Sequence, residues 1–92
     1  MYYRSRFPYC AMNIQVQIGE RIKELRTQKN LTQEAVAFRS EVDRTFMNHV
    51  ENGRKNVSVK SLEKIICQGL DTSFKDFFNT EAFTFKKGGA EA

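Results

Sequence analysis

At 92 residues, 40% of them hydrophobic, the chain is sized for one domain around one core and is too short for two. Its 15 Lys and Arg against 11 Asp and Glu give a net charge of +4 and a pI near 9.3, which suits an anionic partner without requiring one. No apolar run reaches the roughly 18 to 20 residues of a membrane span, residues 1–12 lack the apolar stretch of a secretory leader, and Cys10, Cys67 and one histidine offer neither a disulfide framework nor metal-ligand spacing, so a cytoplasmic protein without metal or other cofactor is expected.

Residues 1–13 hold Tyr2, Tyr3, Phe7, Pro8 and Tyr9 without helical period and read as an N-terminal extension, with Met12 standing as a second possible start just before the first organised segment. Ile14, Val16 and Ile18 alternate as a short strand would, and Ile18, Ile22 and Leu25 then fall at i, i+4 and i+7, which predicts a helix over 16–29 ending near Asn30. Thr32 can accept an orphan backbone N–H and open a second helix over 33–39, with Val36 and Ala37 inward and Ala37 small enough for close helix approach. Ser40, Glu41 and Val42 form a turn. Asp43 is the cap of a third helix, 44–52, whose Met47 and Val50 face the core and which Gly53 stops.

Ser58 caps a fourth helix, 59–69, with Val59, Leu62, Ile65, Ile66 and Leu70 on its core face. Cys67, on the apolar side, reads as a small core hydrophobe. Ser73 and Asp76 form a capping box before a short fifth helix carrying Phe74, Phe77 and Phe78. Residues 80–92 bring Phe83 and Phe85 and then KKGGAEA, the composition of a solvated, loosely docked tail.

Two amphipathic helices so close in sequence bury their apolar faces only by crossing steeply, which leaves the second free to lie in a DNA major groove. Its outward face is Arg44, Thr45, Asn48 and His49, the candidate base-contacting residues. The forked Arg44 guanidinium can donate to O6 and N7 of guanine, Thr45 offers a hydroxyl and a methyl, and His49 lies one turn further on. Gln33, in the first turn of the second helix, and the basic loop Arg54, Lys55 and Asn56 are placed to meet phosphates. The competing reading makes all of these solvated surface. Phosphate contacts would release counterions and make binding fall steeply with salt.

The segments IGERIKELR, LTQEAVA, DRTFMNHVENG, NVSVKSLEKI and SFKDFF together resemble the Cro/repressor type of helix-turn-helix regulator. The resemblance implies an all-α, five-helix, lambda-repressor-like DNA-binding domain, here over residues 14–79. The DRTF segment with the VENGRKNVS loop is similar to the controller proteins of restriction-modification genes. It also implies an Arg26–Glu51 ion pair locking the first helix to the third. Phe46 stands where the controller pattern has Tyr, placing it beside the sugar-phosphate backbone or against the second helix. Glu41 stands where the family often has Gly, at a backbone position that can need positive φ, and Phe38 where the family usually exposes a polar side chain.

One helix-turn-helix covers only about half a turn of groove, so a homodimer on a palindromic operator is expected, its recognition helices about 34 Å apart. Phe74, Phe77 and Phe78 are the candidate seam, with ordinary core as their alternative role. The function implied is a sequence-specific DNA-binding transcriptional regulator, with double-stranded DNA and a second copy of itself as partners. An antitoxin or phage-type repressor would use the same DNA physics. A helix-turn-helix module that binds protein instead of DNA is the rival from another class, against which the polar face of Arg44, Thr45 and His49 speaks. No nucleophile–base pair, paired acid or cofactor loop suggests an enzyme or a small-molecule substrate.

Overall fold

Each α-helix of the computed structural model begins at a side chain that accepts a backbone N–H otherwise left without a partner. The structure describes residues 13–83; the extension with Met12 and Cys10, and the tail with Phe85 and KKGGAEA, lie outside the described residues. The elements are α1 (Ile14–Gln28), α2 (Gln33–Ser40), α3 (Arg44–Glu51), α4 (Val59–Glu63), which runs on into a π-helical stretch (Lys64–Gly69), and α5 (Phe74–Phe77), followed by a 3₁₀ turn (Glu81–Phe83). Thr32, Asp43, Ser58 and Ser73 cap α2 to α5 as the sequence predicts, and Asn13 caps α1 by accepting from Val16 N at 3.3 Å. That cap turns the strand-like alternation of Ile14, Val16 and Ile18 into the first turns of a helix. No strand occurs among the described residues.

The first three helices stop alike. A residue with left-handed backbone, Asn30 (φ 57°), Glu41 (φ 60°) or Gly53 (φ 72°), lets the next amide reach back five residues, from Leu31 to Arg26, Val42 to Ala37 and Arg54 to His49, at 2.9–3.0 Å. Only Gly53 adopts this conformation without steric cost; Glu41 carries about 1 kcal/mol of it, as its place in the turn anticipates.

The core is Ile22 and Leu25 of α1, Val36 and Ala37 of α2, Met47 and Val50 of α3, then Leu62, Ile65, Ile66, Leu70 and Phe77. Widening to π geometry over Lys64–Gly69 turns Ile65, Ile66, Gly69 and Leu70 all inward. Cys67 is thereby exposed rather than a core side chain, because the neighbouring isoleucines take both inward positions. Val59 is also not core: it is the first residue after the Ser58 cap, and 75% of its surface is exposed. Phe77 is the reverse case. It is 0% exposed, so it belongs to this chain's own core and is not available as a seam residue.

Phe83 is no loose tail. Its ring stands edge-on to Phe78 at 4.8 Å between centroids, Phe78 stands edge-on to Phe77 at 4.9 Å, and Gln17 Nε2 donates to Ala82 O at 2.8 Å. Arg21, unremarkable in the sequence, closes the end of α5 by donating to Phe77 O at 2.7 Å and Asp76 O at 2.9 Å.

α1 and α3 cross in backbone contact at Gly19, where a Cβ would lie 2.5 Å from Val50 O and 2.7 Å from Glu51 O. Gly69 serves the same purpose against Ser40 and Val36 of α2. Gly19→Ala should therefore separate α1 from α3 and cost about 1–3 kcal/mol in denaturant unfolding, the range for an overfilled core. Unchanged stability would show that the two helices do not touch there.

Candidate nucleic-acid interface

The third helix is held from behind by one carboxylate. Glu51, whose side chain is 1% exposed, accepts from Arg26 Nε at 2.7 Å, Arg26 Nη2 at 3.0 Å and Gln33 Nε2 at 3.1 Å. The remaining Arg26 Nη1 donates to Leu31 O at 3.0 Å, in the turn that leads into α2. The ion pair implied by resemblance is present, and it joins α1, the α1–α2 turn, α2 and α3 at one point. With Met47, Val50 and Glu51 inward, α3 can turn only its other side to solvent.

On that outer side Arg44, Thr45 and Asn48 are exposed and His49 is half-buried. Gln33, Arg44, Thr45 and Asn48 line a common hollow of about 180 Å³ between the starts of α2 and α3. Arg44 forms no ion pair among the described residues. The amide end of α3 is already occupied by the Asp43 carboxylate, which accepts from Thr45 N at 3.0 Å. An incoming phosphate would be repelled there. A base edge, met by the Arg44 and Thr45 side chains, would not.

Gln33 is more constrained than its proposed phosphate role requires. It donates to Glu51, and its Oε1 accepts from Asn48 Nδ2 at 3.3 Å, although one side-chain hydrogen and its backbone amide at the start of α2 remain available. Phe46 is half-buried at the edge of the core, with Lys55 Nζ 5.8 Å from its ring centre. Arg54, Lys55 and Asn56 are exposed beyond the end of α3, the Arg54 amide being fixed to His49 O at 2.9 Å. The structure thus gathers Gln33, Arg44, Thr45 and Asn48 at one end of α3 and places the basic loop at the other.

Sequence reasoning missed Asn52, which donates through Nδ2 to Asn48 O at 2.9 Å and to Asn48 Oδ1 at 3.3 Å. The signal was present as an i, i+4 pair of asparagines on one helix face. Phe38 of α2 is 84% exposed, and nothing in the structure explains it. Among the described residues no three His, Cys, Asp or Glu side chains gather as a metal site, and no helix is long and apolar enough to cross a membrane.

A family described as helix-turn-helix matches residues 22–74. The chain is 38% identical over 68 residues to the control protein C.MunI of a Mycoplasma species, covering 73% of this chain and 90% of the relative. Among solved structures it is similar to the restriction-modification controller protein C.AhdI from Aeromonas hydrophila, at 40% identity and a TM-score of 0.66, covering 71% of this chain and 97% of the other. It is similar too to the controller protein C.Esp1396I, at 37% identity and a TM-score of 0.67 over 71% of this chain and 84% of the other, in a structure of the tetramer in complex with its natural 35 base-pair operator.

Proposed function

The chain belongs to the helix-turn-helix family, among the control proteins of restriction-modification systems, and on that premise we propose that it regulates transcription by binding an operator as a homodimer. The observation that carries this reading is the single polar face left to α3 once Glu51 and its core residues are buried: Arg44, Thr45 and Asn48 open beside Gln33 at the end of the helix that would enter a major groove. The operator complex of a similar controller protein supports the same use of the fold here. It favours the controller reading over the antitoxin or phage-repressor alternative and over a module that has given up DNA for protein partners.

In this reading Arg44, Thr45, Asn48 and His49 meet base edges, Arg44 donating both arms to guanine. Gln33, Phe46, Arg54, Lys55 and Asn56 flank them at the sugar-phosphate backbone, fixing register without reading sequence. The two-fold partner docks through the exposed parts of Phe74 and Phe78, since Phe77 is enclosed. A palindromic operator then mirrors the symmetry of the dimer.

Selection of duplexes from a random pool tests the DNA contact. The wild type should enrich a near-palindrome, and Arg44→Ala should lose a guanine preference of about 1–3 kcal/mol at one position of each half-site. Affinity for the enriched duplex should fall with salt by a log-log slope of about 0.9 per phosphate neutralised. No enrichment, together with a flat salt response, would refute the proposal.

The dimer seam has its own test. Phe78→Asp places a charge on the half-buried aromatic edge while leaving Phe77 in the core, and light scattering should show the mass of a monomer with weakened operator binding. A dimeric Phe78→Asp protein would move the seam elsewhere.

A further inference from the structure

Asn48 lies on the outer face of α3 with Arg44, yet its amide is gripped on both sides. Its Nδ2 donates to Gln33 Oε1 at 3.3 Å and its Oδ1 accepts from Asn52 Nδ2 at 3.3 Å. Both neighbours are themselves oriented by groups that only accept. The Glu51 carboxylate draws Gln33 Nε2 to itself at 3.1 Å, which turns Gln33 Oε1 toward Asn48. The Asn48 backbone carbonyl draws Asn52 Nδ2 to itself at 2.9 Å, which sets that nitrogen beside Asn48 Oδ1. A flipped Asn48 amide would face nitrogen to nitrogen and oxygen to oxygen, losing two hydrogen bonds for two repulsions.

A primary amide has two hydrogens and two oxygen lone pairs. With one of each engaged, Asn48 keeps one donor and one acceptor for its exposed side, in an order it cannot reverse. Across the major groove an A·T pair shows the N7 acceptor and then the N6 donor of adenine, whereas a T·A pair shows them in the opposite order. A freely rotating asparagine could match either.

We infer that Gln33 and Asn52 are positioning residues that fix the polarity of the Asn48 amide, so that this side chain distinguishes A·T from T·A at one position of each half-site. The inference rests on the proposed entry of α3 into the major groove. It adds that the buried Arg26–Glu51 pair sets specificity through a continuous relay, Glu51 to Gln33 to Asn48, closed on its outer side by Asn52.

The test is selection from a randomised duplex pool with the wild type, Asn48→Ala, Asn52→Leu, Gln33→Met and the Gln33→Met, Asn52→Leu pair. The wild type should prefer one orientation of an A·T pair at one half-site position by about tenfold or more. Asn48→Ala should lose that preference altogether. The paired variant should bind more weakly overall, having lost the Gln33 phosphate contact, and among the duplexes it enriches should accept A·T and T·A there about equally while still disfavouring G·C and retaining the guanine preference of Arg44. Because Gln33→Met also removes a bond from buried Glu51, Asn52→Leu alone, with its helix content verified by circular dichroism, provides a version of the test confined to the exposed end of α3. Retention of the wild-type orientation preference in Asn52→Leu and in the paired variant would overturn the inference, as would an Asn48→Ala protein with unchanged preferences. Either result leaves an enriched operator and hence the proposed function intact; a wild type that enriches no duplex defeats both.

Discussion

Glu51 carries its carboxylate into the interior, where three donors from two side chains meet it: both arms of the Arg26 fork and the amide of Gln33. A carboxylate so enclosed is stable only while those donors remain, because an unpaired charge taken out of water costs several kcal/mol. The geometry of the pair is correspondingly exacting. Arg26 must come from the last turn of α1, Gln33 from the first turn of α2 and Glu51 from the last turn of α3, so one site fixes the relative rotation of three helices. That rotation is what leaves Arg44, Thr45 and Asn48 outward.

The rest of the packing makes this meeting point reachable. Gly19 lets α1 lie against the backbone of α3, and Gly69 lets the π stretch lie against α2. The left-handed residues Asn30, Glu41 and Gly53 end each helix abruptly enough for eight-residue segments to reverse direction within a few positions. Arg21 and Gln17 fasten α5 and the Glu81–Phe83 turn to the other side of α1, away from the outward face of α3. A scaffold closed in this way presents a short helix with little freedom of its own, which suits recognition of a regular duplex better than an adaptable loop would.

Much of this was legible in the sequence, and the reasons are local. Thr32, Asp43, Ser58 and Ser73 each precede an amphipathic run, and side chains of that type at that position have one dominant use, the N-cap. Asn13 belongs with them but was masked by the alternation of Ile14, Val16 and Ile18 just after it. Cys67 and Val59 were misplaced because a regular 3.6-residue period was carried through a segment that starts at its cap and then widens by a residue per turn. Phe77 could not be separated from Phe74 and Phe78 by pattern, since three aromatics at one helix end are compatible with core and with seam alike. The Asn48–Asn52 contact follows a local i, i+4 spacing, whereas the Gln33–Asn48 contact depends on the crossing of α2 and α3, which no local signal encodes.

The Arg26–Glu51 contact fixes the placement of α3, and a double-mutant cycle measures it directly. Arg26→Met, Glu51→Leu and the double variant would be unfolded in denaturant. Each single change strands a partner and should cost about 3–5 kcal/mol, whereas the double variant, with neither charge left behind, should lose far less than the sum. Costs that simply add would mean that the two residues act independently, and α3 would then owe its position to the apolar core alone.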